Sequence, residues 1–131
     1  TLWTSFLIEG LHKIYLSGDG GYDSHFAEIG NCFPNIDWAI MENGQYNVDW
    51  KYIHMMPDEL PNAIKEIAPR NVLTIHHSKF ALSRHAWYEP LNNIEKASRN
   101  QTYRLFTPLI GEVVPPNGAT KTTDCWWEKY E

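Results

Sequence analysis

Apolar residues along this chain fall into short runs, each cut off by glycine, proline or a polar cluster. Residues 3–9 and 13–17 read as two strands joined by the turn Gly10-Leu11-His12, hence an antiparallel hairpin. The second run is β-branched and aromatic and stops abruptly at Gly18. A different period then takes over. Phe26, Ile29 and Phe33 recur at helical spacing, which predicts a helix over 22–33 with Gly30 and Pro34 near its end. A strand over 36–41 follows, with Trp38 and Ile40 on one face. Pro57-Asp58-Glu59 opens a second helix, with proline at its first position and acids where the helix dipole is positive; it ends at Ala68, before Pro69. Residues 72–75 form another strand. A third, amphipathic helix spans 90–100 with Leu91, Ile94 and Ala97 inward, and 104–114 holds one or two short strands interrupted by Pro108.

The order is therefore strand, strand, helix, strand, helix, strand, helix, strand. Such alternation argues for an α/β fold with a largely parallel sheet, flanked by helices and led by an antiparallel hairpin. Residues 1–118 make one domain and 119–131 a polar tail whose Trp126 and Trp127 pack on something. Between the strand over 36–41 and the helix that Pro57 opens, 42–56 is polar and aromatic without clean periodicity. A connection of that length in a compact domain is usually functional, and Tyr46, Trp50 and Tyr52 favour an ordered wall.

Composition narrows the picture. At 131 residues, with 43% hydrophobic and 14% aromatic positions, the chain has room for one real core and not for two. A formal net charge of -5 argues against a general nucleic-acid binder, which needs a basic surface. Cys32 and Cys125 make no disulfide framework and no CxxC pair. No apolar run is long enough for a transmembrane helix. The chain starts at Thr1 and is already strand-like, so an upstream portion is expected.

Chemistry concentrates at two strand ends. Asp19 sits among Gly18, Gly20 and Gly21 just after the second strand, where open α/β sheets bind ligands. The strand ending at Ile75 runs into His76-His77-Ser78-Lys79-Phe80. With both strands parallel neighbours, Asp19 and His76 share a rim, and one aspartate with one histidine makes half of a metal site.

These motifs resemble the C-terminal half of the metallo-β-lactamase αββα sandwich, in the branch of the N-acyl-phosphatidylethanolamine-hydrolysing phospholipase D and, more distantly, the ascorbate-6-phosphate lactonases. Gly18-Asp19-Gly20-Gly21-Tyr22 matches the family's Gly-Asp-Thr-Gly-Tyr turn, and Phe26-Ala27-Glu28-Ile29-Gly30 its Phe-x-Glu-Ile-Gly helix. Gly44-Gln45-Tyr46, His54 and Pro57-Asp58-Glu59 resemble the family's Gly-Ala-Tyr segment, loop histidine and Pro-Glu-Glu start, and Ile75 to Phe80 its Ile-His-Trp-Gly-Thr-Phe. Gln45, His77 and Lys79 depart from that pattern. No His-x-His occurs in the chain, so the family's main metal motif, which lies in the N-terminal half, is not among these residues.

The resemblance implies a zinc-dependent hydrolase that cleaves phosphodiester or lactone and ester bonds with metal-activated water. Two zinc ions serve the complete domain, of which this chain supplies part of the ligands. Asp19 would bridge the metals, His76 would bind one, His54 would contact a substrate oxyanion, and Tyr46 and Trp50 would shape the pocket. The substrate would be a small molecule or a phospholipid. Alone, the chain is expected to be inactive, and a sheet face bearing Phe6, Ile8, Trp38 and Ile40 would favour a homo-oligomer. A non-catalytic assembly domain of the same fold is the alternative.

Overall fold

The computed structural model describes residues 3–80, 82–119 and 124–130. Strands β1 (Phe6–Glu9) and β2 (Lys13–Leu16) form the antiparallel hairpin, in register from Phe6 opposite Leu16 to Glu9 opposite Lys13. Then come α1 (His25–Cys32), β3 (Trp38–Glu42), α2 (Glu59–Ile67), β4 (Asn71–Ile75), α3 (Glu89–Ser98) and β5 (Arg104–Phe106). The sheet order is β1-β2-β3-β4-β5, parallel from β2 onward.

Strand neighbours that follow chain order, joined by crossovers of one hand, place their helices on the same face. The core shows this. Tyr15, Ala39, Met41 and Val72 point to one side of the sheet and pack in a single cluster with Phe26 of α1, Ile94 of α3 and the inner stripe of α2. That stripe is Leu60, Ala63, Ile64 and Ile67, the spacing of one helical face. Each large aliphatic side chain fully buried there contributes about 1.5–3 kcal/mol. Helices α1 and α2 meet at Gly30, where a Cβ would collide with the Glu66 carbonyl.

Several boundaries differ from the sequence expectation. Residues 22–24 stay out of α1 because the chain before them is pinned: the Gly21 N–H donates to the Tyr52 carbonyl at 3.1 Å. Pro57 is not the first residue of α2. A turn closes over 56–59, with the Glu59 N–H on the Met56 carbonyl at 3.0 Å and the Met56 N–H on Glu59 Oε2 at 2.8 Å, and the helix begins at Glu59. β3 runs one residue further than expected, to Glu42, whereas only one short strand forms in 104–114.

The opposite sheet face is partly covered. Trp38 is buried, not exposed: it packs on Phe106 and donates its indole N–H to the Pro116 carbonyl at 2.7 Å. Phe6 and Ile8 do face outward, and Ile14, Ile40 and Leu73 are half-buried. The tryptophans of the tail pack on the domain, Trp127 fully buried with its N–H on Asn92 Oδ1 and Trp126 on the Thr107 carbonyl. No described helix is long and apolar enough to cross a membrane.

Candidate metal centre

Three adjacent parallel strands end on one rim, and each delivers a polar side chain to it. After β2 the chain turns through Gly18 to Asp19; Glu42 is the last residue of β3; His76 follows β4 directly. Gly18 takes φ +61 with the Thr4 carbonyl where a Cβ would sit, so this turn requires glycine. The strands bearing Asp19 and His76 are not neighbours as expected: β3 lies between them, which sets Glu42 in the middle. A fourth group, His54, returns to the rim on the loop between β3 and α2, which carries a short 3-10 turn at Val48–Trp50. Ligand-capable atoms of Asp19, Glu42, His54 and His76 all lie within 4.8 Å of one another.

The four form two unlike pairs. His54 Nδ1 meets Glu42 Oε2 at 2.7 Å, and Glu42 Oε1 accepts the Met55 N–H at 2.8 Å. Both residues are buried. Burial pushes the Glu42 carboxyl up to about 8, with the nearby Asp19 charge adding to it, while the Met55 and Gly20 N–H groups hold it back. Burial also lowers His54, as does neighbouring His76, against the pull of Asp19. Asp19 and His76 are open by comparison, 51% and 32% exposed, with Oδ1 and Nδ1 3.8 Å apart. The His54 and His76 rings pack with centroids 4.9 Å apart and planes tilted by 31°.

One atom bears on whether this set fits a metal. His76 Nε2 is buried with no hydrogen-bond partner among the described residues, a state that buried ring nitrogens rarely hold without a ligand. Two carboxylates and two imidazoles are also a donor set suited to zinc or another divalent ion. The residues fit.

Tyr46 and Trp50 stand apart from the four. The Tyr46 hydroxyl donates to Glu89 Oε1 at 2.6 Å and its ring packs on His85, while the Trp50 indole binds the Gln45 carbonyl at 2.6 Å. His77 is turned inward, hydrogen-bonded to Thr74 and Ser78, and burial lowers it to about 4. Sequence reasoning missed Glu42. The signal was present, because the rule that made Asp19 a candidate applies equally to the carboxyl end of β3.

A family model described as a beta-lactamase superfamily domain matches residues 1–77, a stretch that holds all four rim residues, and the chain belongs to this family. It is 57% identical over 77 residues, 58% of its own length, to the "outer membrane protein RomA" of Klebsiella pneumoniae. It is 34% identical over 120 residues, 86% of its length, to the mitochondrial N-acyl-phosphatidylethanolamine-hydrolyzing phospholipase D of Saccharomyces cerevisiae. The chain spans 58% of the first relative and 26% of the second. Among solved structures, Igni18, a metallo hydrolase from Ignicoccus hospitalis, superposes with a TM-score of 0.58 at 20% identity, covering 80% of this chain and 41% of that one. The five-stranded mixed sheet with its helices is thus part of a metallo-β-lactamase fold.

Proposed function

We propose that this chain carries part of the ion-binding rim of a metal-dependent hydrolase, with Asp19 and His76 as metal-side residues and His54 facing the substrate. The unpartnered His76 Nε2, beside a carboxylate that no hydrogen bond from the described residues ties down, carries this reading. A divalent ion held there, zinc by family habit, would supply Lewis-acid polarisation and activation of water. With the protonated Glu42 carboxyl donating to Nδ1, neutral His54 presents its Nε2–H to a developing oxyanion. Phosphodiesters and lactones or esters are the bond classes that suit such a site. The name of the yeast relative supports a phospholipid-type substrate. Two ligands do not complete a site that takes about four per ion, so the remaining ligands would come from residues outside this chain.

The test is metal analysis beside steady-state kinetics in the longest form of the protein that turns over a phosphodiester or lactone. His54→Ala should keep its metal and lose about 10²–10³ in rate. Asp19→Asn should lose metal and activity together. Metal loss in His54→Ala would make it a ligand, and unchanged rates would remove it from the site. A second reading, assembly without catalysis, draws on the outward Phe6 and Ile8 and the half-buried Ile14, Ile40 and Leu73 of the far sheet face. Sedimentation of the chain as a monomer that binds no hydrophobic dye would count against it.

A further inference from the structure

The rim depends on two loops, 43–56 bringing His54 and 76–85 following His76, and one side chain joins them. Gln45 is 5% exposed. Its Nε2 donates to the Phe80 carbonyl at 2.9 Å and reaches the His76 carbonyl at 3.5 Å. Its Oε1 accepts the Leu82 and Ser83 N–H groups at 2.8 and 3.0 Å. A primary amide has two donor hydrogens and two acceptor lone pairs, and Gln45 turns all of them on the backbone of one loop. Its own backbone N–H donates to His85 Nε2 at 2.8 Å. Such complementarity belongs to glutamine: alanine offers nothing here, and a carboxylate could accept but not donate.

A second observation is independent of these bonds. Gln45, His76 and Ser78 have φ of 58°, 68° and 69°. Left-handed backbone at a residue other than glycine is unfavourable and persists only where the surroundings enforce it. His76 thus needs a restraint, and β4 ends just before it. Gly44 adds to the contact, since a Cβ there would come 2.7 Å from the His76 carbonyl oxygen.

We propose that Gln45 is a positioning residue of the metal site: its amide fixes the backbone at His76, Phe80, Leu82 and Ser83 and thereby holds His76 between Asp19 and His54. This rests on the reading of His76 as a metal-side residue. NMR on the chain tests the two ideas separately. In Gln45→Ala, the Leu82 and Ser83 amide protons lose their acceptor and should exchange at least about 10-fold faster, while those of Ala39, Met41 and Val72 keep their rates. Ring-proton cross-peaks between His54 and His76 should weaken in the same variant. Gln45→Glu keeps the acceptors and should lose less protection at Leu82 and Ser83 than the alanine variant. Unchanged exchange at Leu82 and Ser83, equal acceleration throughout the sheet, or undiminished cross-peaks in Gln45→Ala would overturn the proposal. Zinc chloride added to the wild type is the separate arm. A His76 ring indifferent to zinc, with the loop and cross-peak changes present, would overturn the metal reading alone.

Discussion

Two acid–imidazole pairs stand side by side on this rim and are built in opposite ways. Glu42 and His54 are buried, 2.7 Å apart, and both Glu42 oxygens are engaged, Oε2 with His54 Nδ1 and Oε1 with the Met55 N–H. Asp19 and His76 are partly open, 3.8 Å apart, and His76 keeps a buried nitrogen unpaired. In the function proposed here, the difference separates support from ligand. A carboxyl group saturated by the protein holds its neighbours in place, whereas one left unsaturated beside an imidazole unpaired among the described residues is free to bind an ion.

Removing one acid from each pair should break the comparison most visibly. Glu42→Ala leaves His54 buried without its partner and unpins Met55, so it should cost about 1–3 kcal/mol. Asp19→Ala breaks a half-exposed, long contact and should change stability by less than about 1 kcal/mol. Urea unfolding of both variants checks this. Similar losses would erase the distinction.

Half of this contrast was readable in the sequence. Asp19 and His76 announced themselves because each follows an apolar strand and matches a motif. The order of strands and helices was readable because each crossover segment has its own apolar stripe, as Leu60, Ala63, Ile64 and Ile67 do in α2. Glu42 carries the same strand-end signal as Asp19 but matches no motif, and a charged residue after an apolar run also looks like the start of a loop. What buries it is the return of Met55 and His54 from a dozen residues away. Gln45 looked only like a departure from alanine, for its partners, Phe80, Leu82 and Ser83, meet it through tertiary folding alone. Tyr46, Trp50 and Tyr52 were expected to form an ordered wall; Tyr46 and Trp50 bind Glu89 and Gln45 through their polar atoms, and Tyr52 is exposed.

Titration sharpens the comparison at a smaller scale. Glu42 sits at about 8 in the fold against about 4.5 ordinarily, so the folded state favours its protonated form. The stability this provides is present below about 4.5 and is lost as pH rises toward 8. With chelator present, the unfolding free energy should fall across that interval, and Glu42→Gln should flatten the slope. An equal slope in Glu42→Gln would assign the pH dependence elsewhere.

The smallest effect probes the backbone behind the open pair. Gly44→Ala places a Cβ against the His76 carbonyl and should shift His76 enough to weaken zinc binding about 10-fold, the usual scale for a residue behind a ligand. Gly30→Ala is the control, because it strains the contact of α1 with α2 and should lower stability without a specific effect on zinc. Equal zinc affinity in Gly44→Ala and wild type would show that His76 tolerates the displacement.

The most direct measurement follows the imidazole nitrogens of His54 and His76 by NMR while zinc is added to the chain. The two-pair account expects weak binding, since Asp19 and His76 alone do not close a zinc site. It expects the His76 nitrogens to shift with zinc while His54 Nδ1 keeps the signature of its hydrogen bond to Glu42. Tight binding that moves both rings alike would mean that all four residues coordinate one ion, and the division into ligand and support would fall.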